Sequence, residues 1–251
     1  MLDFKSYKFP SNTLEDKTIV ITGAGSGIGR EIAKCYSRLG AELILLSKSQ
    51  DKLETLHDEL SSDNSKNILI QPIDFALSEE KDYVQIVEAL SEEYSKIDGL
   101  VNNAGILGEK KSIEQYNYKT WKQVMTVNLD AGFLLTKHLI PLLRESKSSS
   151  VIFTSSGVGK VGRPYWGSYS VSKFATEGLM QILSEELQNT SSIRVNCINP
   201  GAVRTKMRKS AYPAENPEIN PLASEIMKPY IFLMSDVSEN INGHSIDAQE
   251  S

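Results

Sequence analysis

The stretch Thr18-Ile-Val-Ile-Thr-Gly-Ala-Gly-Ser-Gly-Ile-Gly29 runs from five β-branched residues directly into a glycine-rich turn. The apolar side chains of Ile28, Ile32, Cys35 and Leu39 are spaced to share one face of a helix that should follow the turn. A strand, a tight turn and a helix in this order bring free backbone N–H groups and the positive end of a helix dipole to the end of the strand, where they attract a pyrophosphate. The stretch therefore predicts a dinucleotide-binding unit near the N-terminus.

Apolar, β-branched runs recur along the whole chain, with helix-period segments between them. Such alternation predicts βαβ units, and hence an α/β fold of Rossmann type: a doubly wound parallel sheet of about seven strands with helices on both faces. We see no linker or repeat, so one domain over residues 1–251 is expected, with an N-terminal extension at 1–13. The predicted strands are Thr18–Thr22, Leu43–Leu46, Ile68–Ile73, Gly99–Asn102, Val151–Thr154, Arg194–Asn199 and Ser245–Asp247.

The composition is that of an ordinary globular protein, with 40% hydrophobic and 24% charged residues. A formal net charge of -5 argues against a nucleic-acid or anionic-membrane partner, because phosphate binding favours clustered Lys and Arg. No stretch approaches the ~20 apolar residues of a membrane helix, and no signal peptide is visible. Cys35 and Cys197 lie in apolar segments and the three histidines are far apart, so we expect no metal site and a cytoplasmic location.

The end of the second predicted strand bears on which dinucleotide is bound. NAD-specific sites place a carboxylate there, about 20 residues beyond the glycines, to bind the ribose 2′-hydroxyl group. This chain reads Leu46-Ser47-Lys48-Ser49 and has no acidic residue before Asp51. Because Lys48 attracts a 2′-phosphate that a carboxylate would repel, the pattern favours NADP(H) over NAD(H). A solvated surface lysine is the alternative interpretation.

The segment Tyr169-Ser-Val-Ser-Lys173 places a phenol and an ammonium on one face of a predicted helix. A free tyrosine has a pKa of about 10, and a nearby cation lowers that pKa by stabilising the phenolate. Tyr169 would then be a usable proton donor and acceptor. The motif alone is common, but Ser155-Ser156 at the end of a strand and Asn128 after an apolar helix face strengthen it.

Taken together and in order, these motifs resemble the short-chain dehydrogenase/reductase family. The resemblance extends over nearly the whole chain, from about Leu14 to Asp247, and the stretch Tyr165–Glu177 is similar to an uncharacterised bacterial branch of that family. The motifs are Thr22–Gly29, Asn102–Gly105, Asn128, Ser156, Tyr169–Lys173 and Asn199–Gly201.

The resemblance implies a role for each matching residue. Tyr169 would transfer the proton, and Lys173 would lower the pKa of the tyrosine and bind the nicotinamide ribose. Ser156 would polarise the carbonyl, and Asn128 would hold a water that relays protons to Lys173. The residues expected to border the cofactor are Gly23, Ser26, Gly27, Ile28, Gly29, Ser47, Lys48, Asp74, Phe75, Asn102, Ala104, Gly105, Tyr169, Lys173, Pro200, Gly201, Val203 and Thr205.

These roles predict an NADP(H)-dependent oxidoreductase that transfers a hydride between nicotinamide and a small carbonyl or alcohol substrate. A non-catalytic NADP(H)-binding sensor or scaffold on the same fold is one alternative, because fold does not fix function. An epimerase or dehydratase is another, although such relatives are generally longer. The resemblance further implies a homotetramer or homodimer that packs through the helices near Thr120–Glu145 and Tyr169–Asn189.

The segment Arg204–Pro221 follows Pro200-Gly201 at the carboxyl edge of the predicted sheet, where ligands bind in such folds. It is polar, holds three prolines and has few apolar anchors, so we expect a mobile substrate lid, with an ordered surface loop as the alternative. Its basic residues favour a solvated loop, but an anion-binding role stays open and would suit an anionic substrate. They are Arg204, Lys206, Arg208 and Lys209.

Overall fold

A computed structural model describes residues 7–63 and 67–249, and its centre is one seven-stranded sheet. The strand order is β3-β2-β1-β4-β5-β6-β7, and every neighbouring pair is parallel. All seven predicted strands are present, and their bounds differ from the prediction by two residues at most. The strands are β1 Thr18–Thr22, β2 Glu42–Ser47, β3 Ile68–Pro72, β4 Gly99–Asn102, β5 Ser149–Thr154, β6 Ile193–Asn199 and β7 Ser245–Asp247.

Helices cover both faces of this sheet, as the doubly wound architecture requires. They are α1 Gly27–Arg38, α2 Gln50–Asp63, α3 Glu80–Glu93, α4 Tyr118–Met125, α5 Ala131–Arg144, α6 Gly167–Leu187, α7 Lys206–Ala211 and α8 Lys228–Met234. Helices α1, α2 and α8 pack with Ile19 and Ile21 on one face, whereas α3, α5 and α6 pack with Val20 on the other. Successive strand residues point to opposite faces, so a sheet covered on both sides needs the continuous apolar runs seen in the sequence.

The predicted helical segment Thr120–Glu145 is interrupted in the structure. Helices α4 and α5 are joined by a π-helical turn at Thr126–Asp130, and this turn contains Asn128. Turns of this kind are rare and are frequently found at functional sites. The turn leaves the Asn128 side chain buried between α6 and the loop that follows β4.

The sheet reverses its winding between β1 and β4. The chain first adds β2 and β3 on one side of β1 and then crosses to the other side to add β4. A crevice forms outside the carboxyl ends of the strands at such a switch point, and ligands bind there in open α/β sheets. The glycine-rich turn follows β1 and the Asn103-Ala-Gly105 stretch follows β4, so the topology brings both predicted motifs to this crevice.

The described part of the N-terminal segment packs against the core. Of the predicted extension at 1–13, the first six residues lie outside the described part, and Phe9 packs against the core on the side of α1. Leu14 is fully buried, and its backbone N–H group donates to the Leu39 carbonyl at 2.9 Å. Within residues 7–63 and 67–249, no helix combines the length and the hydropathy needed to cross a membrane.

Candidate active site

A cleft of about 890 Å³ opens at the switch point of the sheet. This volume lies in the range of ordinary ligand sites in proteins. The structure brings most of the predicted site residues together along its walls, although they are spread over nearly two hundred positions of the chain. The predicted residues that line it are Gly23, Ser26, Gly27, Ile28, Ser47, Lys48, Asp74, Phe75, Ala104, Gly105, Ser156, Tyr169, Lys173, Pro200, Gly201, Val203 and Thr205.

Three of the predicted residues lie away from the cleft wall. Gly29 packs against the backbone of Gly23, and a Cβ atom at position 29 would collide with the Gly23 carbonyl oxygen. Asn102 is buried, and its amide donates to the Thr136 hydroxyl at 2.9 Å; the next residue, Asn103, lines the cleft in its place. Successive side chains at the end of a strand point in opposite directions, which explains why Asn103 lines the cleft although Asn102 was predicted to do so. Asn128 is the third.

The glycine-rich turn is held against the neighbouring loop by one hydroxyl group. Thr22 Oγ1, at the end of β1, accepts hydrogen bonds from the backbone N–H groups of Asn103 at 2.9 Å and Ala104 at 3.0 Å. Gly23 has a φ of 68°, and a Cβ atom there would lie 3.0 Å from the Ala104 Cα atom. A glycine is therefore required at this close approach, and the first residues of α1, Gly27 and Ile28, line the cleft.

Tyr169, Ser156 and Lys173 meet at the inner end of the cleft. Burial raises the pKa of Tyr169, and a hydrogen bond with the Ser156 side chain opposes that rise. The Lys173 ammonium lies 5.8 Å from the centre of the Tyr169 ring and donates to the Thr154 carbonyl oxygen at 2.6 Å. Burial lowers the pKa of Lys173 to about 8. The lowering of the tyrosine pKa by Lys173 stays a prediction.

Glu177 is a buried carboxylate that the sequence interpretation missed. It lies one turn beyond Lys173 on α6, and its charge raises the lysine pKa against the effect of burial. Its Oε1 atom accepts a hydrogen bond from the Ser245 hydroxyl at 2.9 Å. Cys197 lies beside it, and burial raises the pKa of this thiol well above its ordinary value. The i, i+4 spacing to Lys173 was the available signal for Glu177.

The Asn128 side chain makes three hydrogen bonds to protein partners. Its amide donates to the Ile106 carbonyl at 3.0 Å and to the Ser172 hydroxyl at 3.1 Å, and its oxygen accepts from the Ile106 N–H group at 2.8 Å. Asn128 therefore ties the loop after β4 to α6. A separate cavity of about 10 Å³ lies between Asn128, Asn102 and Lys173, close to the smallest volume that holds one water molecule.

The opposite end of the cleft carries two lysines beside one carboxylate. The Lys48 ammonium lies 2.7 Å from Asp74 Oδ2, and the lysine lowers the pKa of Asp74. The sequence interpretation assigned separate roles to these two residues, whereas the structure joins them in an ion pair. Ser49 and Lys52, at the start of α2, also line this end and were not predicted. Lys52 follows Lys48 by four residues, which was the only local signal.

The segment Arg204–Pro221 folds back on itself beside the cleft. The Arg204 N–H group donates to the Pro221 carbonyl at 2.9 Å, which joins the two ends of the segment. Arg208 and Glu215 form a bidentate ion pair, in which the Nε and Nη2 atoms of the guanidinium group each contact one carboxylate oxygen. The cleft wall includes Arg204, Lys206, Met207 and Arg208 from this segment, so it borders the predicted site. Its mobility stays a prediction.

Comparisons with known proteins agree with this geometry. The short chain dehydrogenase family model matches residues 17–216. The oxidoreductase YciK of Escherichia coli (strain K12), described as uncharacterised, is 41% identical over 243 residues, which are 97% of this chain and 96% of YciK. A solved structure of YciK from E. coli superposes with a TM-score of 0.95 at 40% identity, covering 98% of this chain and 100% of that one.

Two further solved structures contain a dinucleotide. A short chain dehydrogenase from Shigella flexneri 2a, complexed with NADP, superposes with a TM-score of 0.93 at 40% identity. One from Escherichia coli CFT073, complexed with NADPH, superposes with a TM-score of 0.93 at 41% identity. Each comparison covers 96% of this chain and 100% of the other. The motifs, the sheet order and these relatives agree, and the chain belongs to the short-chain dehydrogenase family.

Proposed function

We propose that this oxidoreductase is NADP(H)-dependent and acts on a small carbonyl or alcohol substrate, with Tyr169 as proton donor and acceptor. The observation that carries the proposal is that Tyr169, Ser156 and Lys173 share one cleft with the glycine-rich turn and Lys48. Acid–base groups lie at one end of that cleft and a cationic subsite at the other. A bound NADPH would supply the hydride.

The described residues fit a dinucleotide. The turn after β1 needs glycine at position 23, and α1 begins at Gly27 with its first backbone N–H groups at the cleft. Such a helix start binds pyrophosphate through its N–H groups and its dipole. In the described part of the chain, no group of three or more His, Cys, Asp or Glu side chains is placed to hold a metal ion.

The preference for NADP(H) rests on the residues at the end of β2. Ser47, Lys48, Ser49 and Lys52 all line this end of the cleft, and they can donate hydrogen bonds to a 2′-phosphate. Asp74 neutralises part of the Lys48 charge, so Lys52 strengthens the case. The two relatives complexed with NADP and NADPH support the same assignment.

The chemistry expected of the chain's own residues is a proton transfer. In carbonyl reduction the Tyr169 hydroxyl group would donate its proton to the substrate oxygen, which Ser156 would hold by a hydrogen bond. A tyrosine hydroxyl group is protonated at neutral pH, as an acid requires, and burial raises the pKa of Tyr169 further. The Lys173 ammonium would stabilise the phenolate that remains. The small cavity beside Asn128 could hold the water that returns a proton towards Lys173.

A screen of NADPH consumption over a panel of carbonyl compounds tests this proposal. The variant Tyr169→Phe should lower kcat/KM by at least about a hundredfold, because general acid catalysis contributes that much, while NADPH affinity stays within about twofold. Tyr118→Phe is the matched control, because Tyr118 is 73% exposed and outside the cleft. If the protein binds NADPH but turns over no compound of the panel, the sensor or scaffold interpretation replaces the enzyme.

A further inference from the structure

One ammonium group lies between two aromatic rings, and one of these rings, that of Trp166, lines the cleft. The Lys110 Nζ atom is 4.2 Å from the centre of the Trp166 ring and 4.4 Å from the centre of the Tyr212 ring. The two rings are 6.0 Å apart. We call these three residues the aromatic–lysine cluster. Its members come from the loop after β4, the start of α6 and the end of α7, so three separate segments are needed to form it.

The cluster is close to the proposed reaction centre. The Trp166 ring lies 5.6 Å from the Tyr169 ring and lines the cleft. The Lys110 ammonium is therefore no farther than roughly 10 Å from the centre of the Tyr169 ring, since it lies 4.2 Å from the intervening indole. A small organic molecule whose carbonyl reaches Tyr169 could also reach Lys110.

The charge of Lys110 is not balanced by a neighbouring acid. In residues 7–63 and 67–249, Lys110 has no carboxylate oxygen within 4.0 Å, whereas the adjacent Lys111 pairs with Glu109 at 3.5 Å. Arg208, which stacks on Tyr212 at 4.0 Å, is already paired with Glu215. The Lys110 ammonium can therefore still pair with an anionic oxygen of a ligand.

The two rings also reduce the entropic cost of binding to this ammonium. Ring faces attract a cation through their quadrupole and so hold the flexible lysine stem in one place. A ring face is a weaker partner for the ammonium N–H groups than an anionic oxygen, because hydrogen bonds that involve charged groups are about twice as strong as neutral ones. The Lys110 ammonium is thus held in position before a ligand binds, and it lacks an anionic oxygen as a partner. Both features favour tight binding of an anionic ligand.

We propose that Lys110 determines substrate specificity by binding a carboxylate on the carbonyl substrate. This inference rests on the proposed function, and it names the substrate class as keto acids in which several bonds separate the carbonyl from the carboxylate. The rings of Trp166 and Tyr212 act as positioning groups for the ammonium.

Calorimetry on the protein loaded with NADP⁺ tests the inference, because a ketone cannot be reduced in that complex. The probes are levulinate and its longer keto-acid homologues, each compared with its methyl ester. The best acid should bind at least about tenfold more tightly than its ester, and Lys110→Met should remove this difference. Lys110→Arg should keep it, since a guanidinium also stacks on aromatic rings and pairs with carboxylates.

Lys111→Met is the matched control, because it removes the same charge one position away without touching the rings, and it should behave as the unmodified protein. The inference is overturned if acids and esters bind equally, if neither binds, or if Lys110→Met weakens both equally. Equal weakening of acids and esters would mean that the aromatic–lysine cluster is a purely structural contact. A loss of NADP⁺ affinity in Lys110→Met would mean that Lys110 binds the cofactor and not the substrate. Failure of the proposed function would instead appear as the absence of NADPH consumption, whatever the binding of the acids.

Discussion

Replacing Lys48 by glutamine should weaken NADPH binding and leave NADH binding unchanged, because the two cofactors differ only in the 2′-phosphate. A unit charge pair at about 4 Å is worth about 4 kcal/mol near a protein surface and about 1 kcal/mol in bulk water. The Lys48 side chain is 75% exposed and already paired with Asp74, so the lower limit applies.

A phosphate that carries nearly two charges raises this value, and we expect a loss of about 1 to 2 kcal/mol, which is about five- to thirtyfold in Kd. The loss should shrink as salt is added, because screening acts on exposed pairs. Titration calorimetry of both cofactors at two salt concentrations measures these effects.

Lys81→Gln is the control for the Lys48 variant. Lys81 is 70% exposed and pairs with Glu79 at 2.8 Å, which matches Lys48 in exposure and in partner, but it lies outside the cleft. Its replacement should leave both affinities unchanged. Equal losses of NADPH and NADH affinity in Lys48→Gln, or NADH binding as tight as NADPH binding in the unmodified protein, would refute the assignment of Lys48 to the 2′-phosphate.

Three further predictions concern stability, assembly and the lid. Burial lowers the pKa of Lys173 from 10.5 to about 8, so the unfolded state binds more protons than the folded state between these two pH values. The contribution of Lys173 to the free energy of unfolding should therefore rise with pH across that window. Urea unfolding of the protein and of Lys173→Met at several pH values measures this rise, and parallel pH profiles of the two proteins would contradict it. Phe174→Asp should dissociate a homo-oligomer in light scattering, because Phe174 is 44% exposed on α6, whereas Val161→Asp should not; a monomeric unmodified protein at micromolar concentration would count against the interface. Residues 204–221 should gain protection from hydrogen exchange when NADPH and a substrate bind, and equal protection in both states would mean that they form no lid.

The strands could be predicted from the sequence because each is a short apolar run between periodic helices. Three of them, including Thr18–Thr22, match the structure to the residue. The break at Thr126–Asp130 could not be predicted, because a π-helical turn differs from an α-helical turn by only one added residue, which a short apolar pattern does not reveal. The site was predicted where glycine, lysine and tyrosine motifs mark it locally. The predicted substrate lid Arg204–Pro221 contains Tyr212, but the contact of this ring with Lys110 and Trp166 could not be predicted, because the three residues come from separate segments and no local pattern encodes their contacts.

Two of the cations that line the cleft, Lys48 and Lys173, differ in their exposure to solvent. Lys48 is exposed, so its charge is screened and a substitution there changes affinity by a modest factor without disturbing the fold. Lys173 is buried, where charges interact much more strongly, and it depends on the Thr154 carbonyl and on Glu177, which Ser245 of β7 holds in place. Under the proposed function, cofactor preference can therefore change through surface substitutions alone, whereas a change at the proposed proton-transfer centre also requires the packing of α6 against β6 and β7 to change.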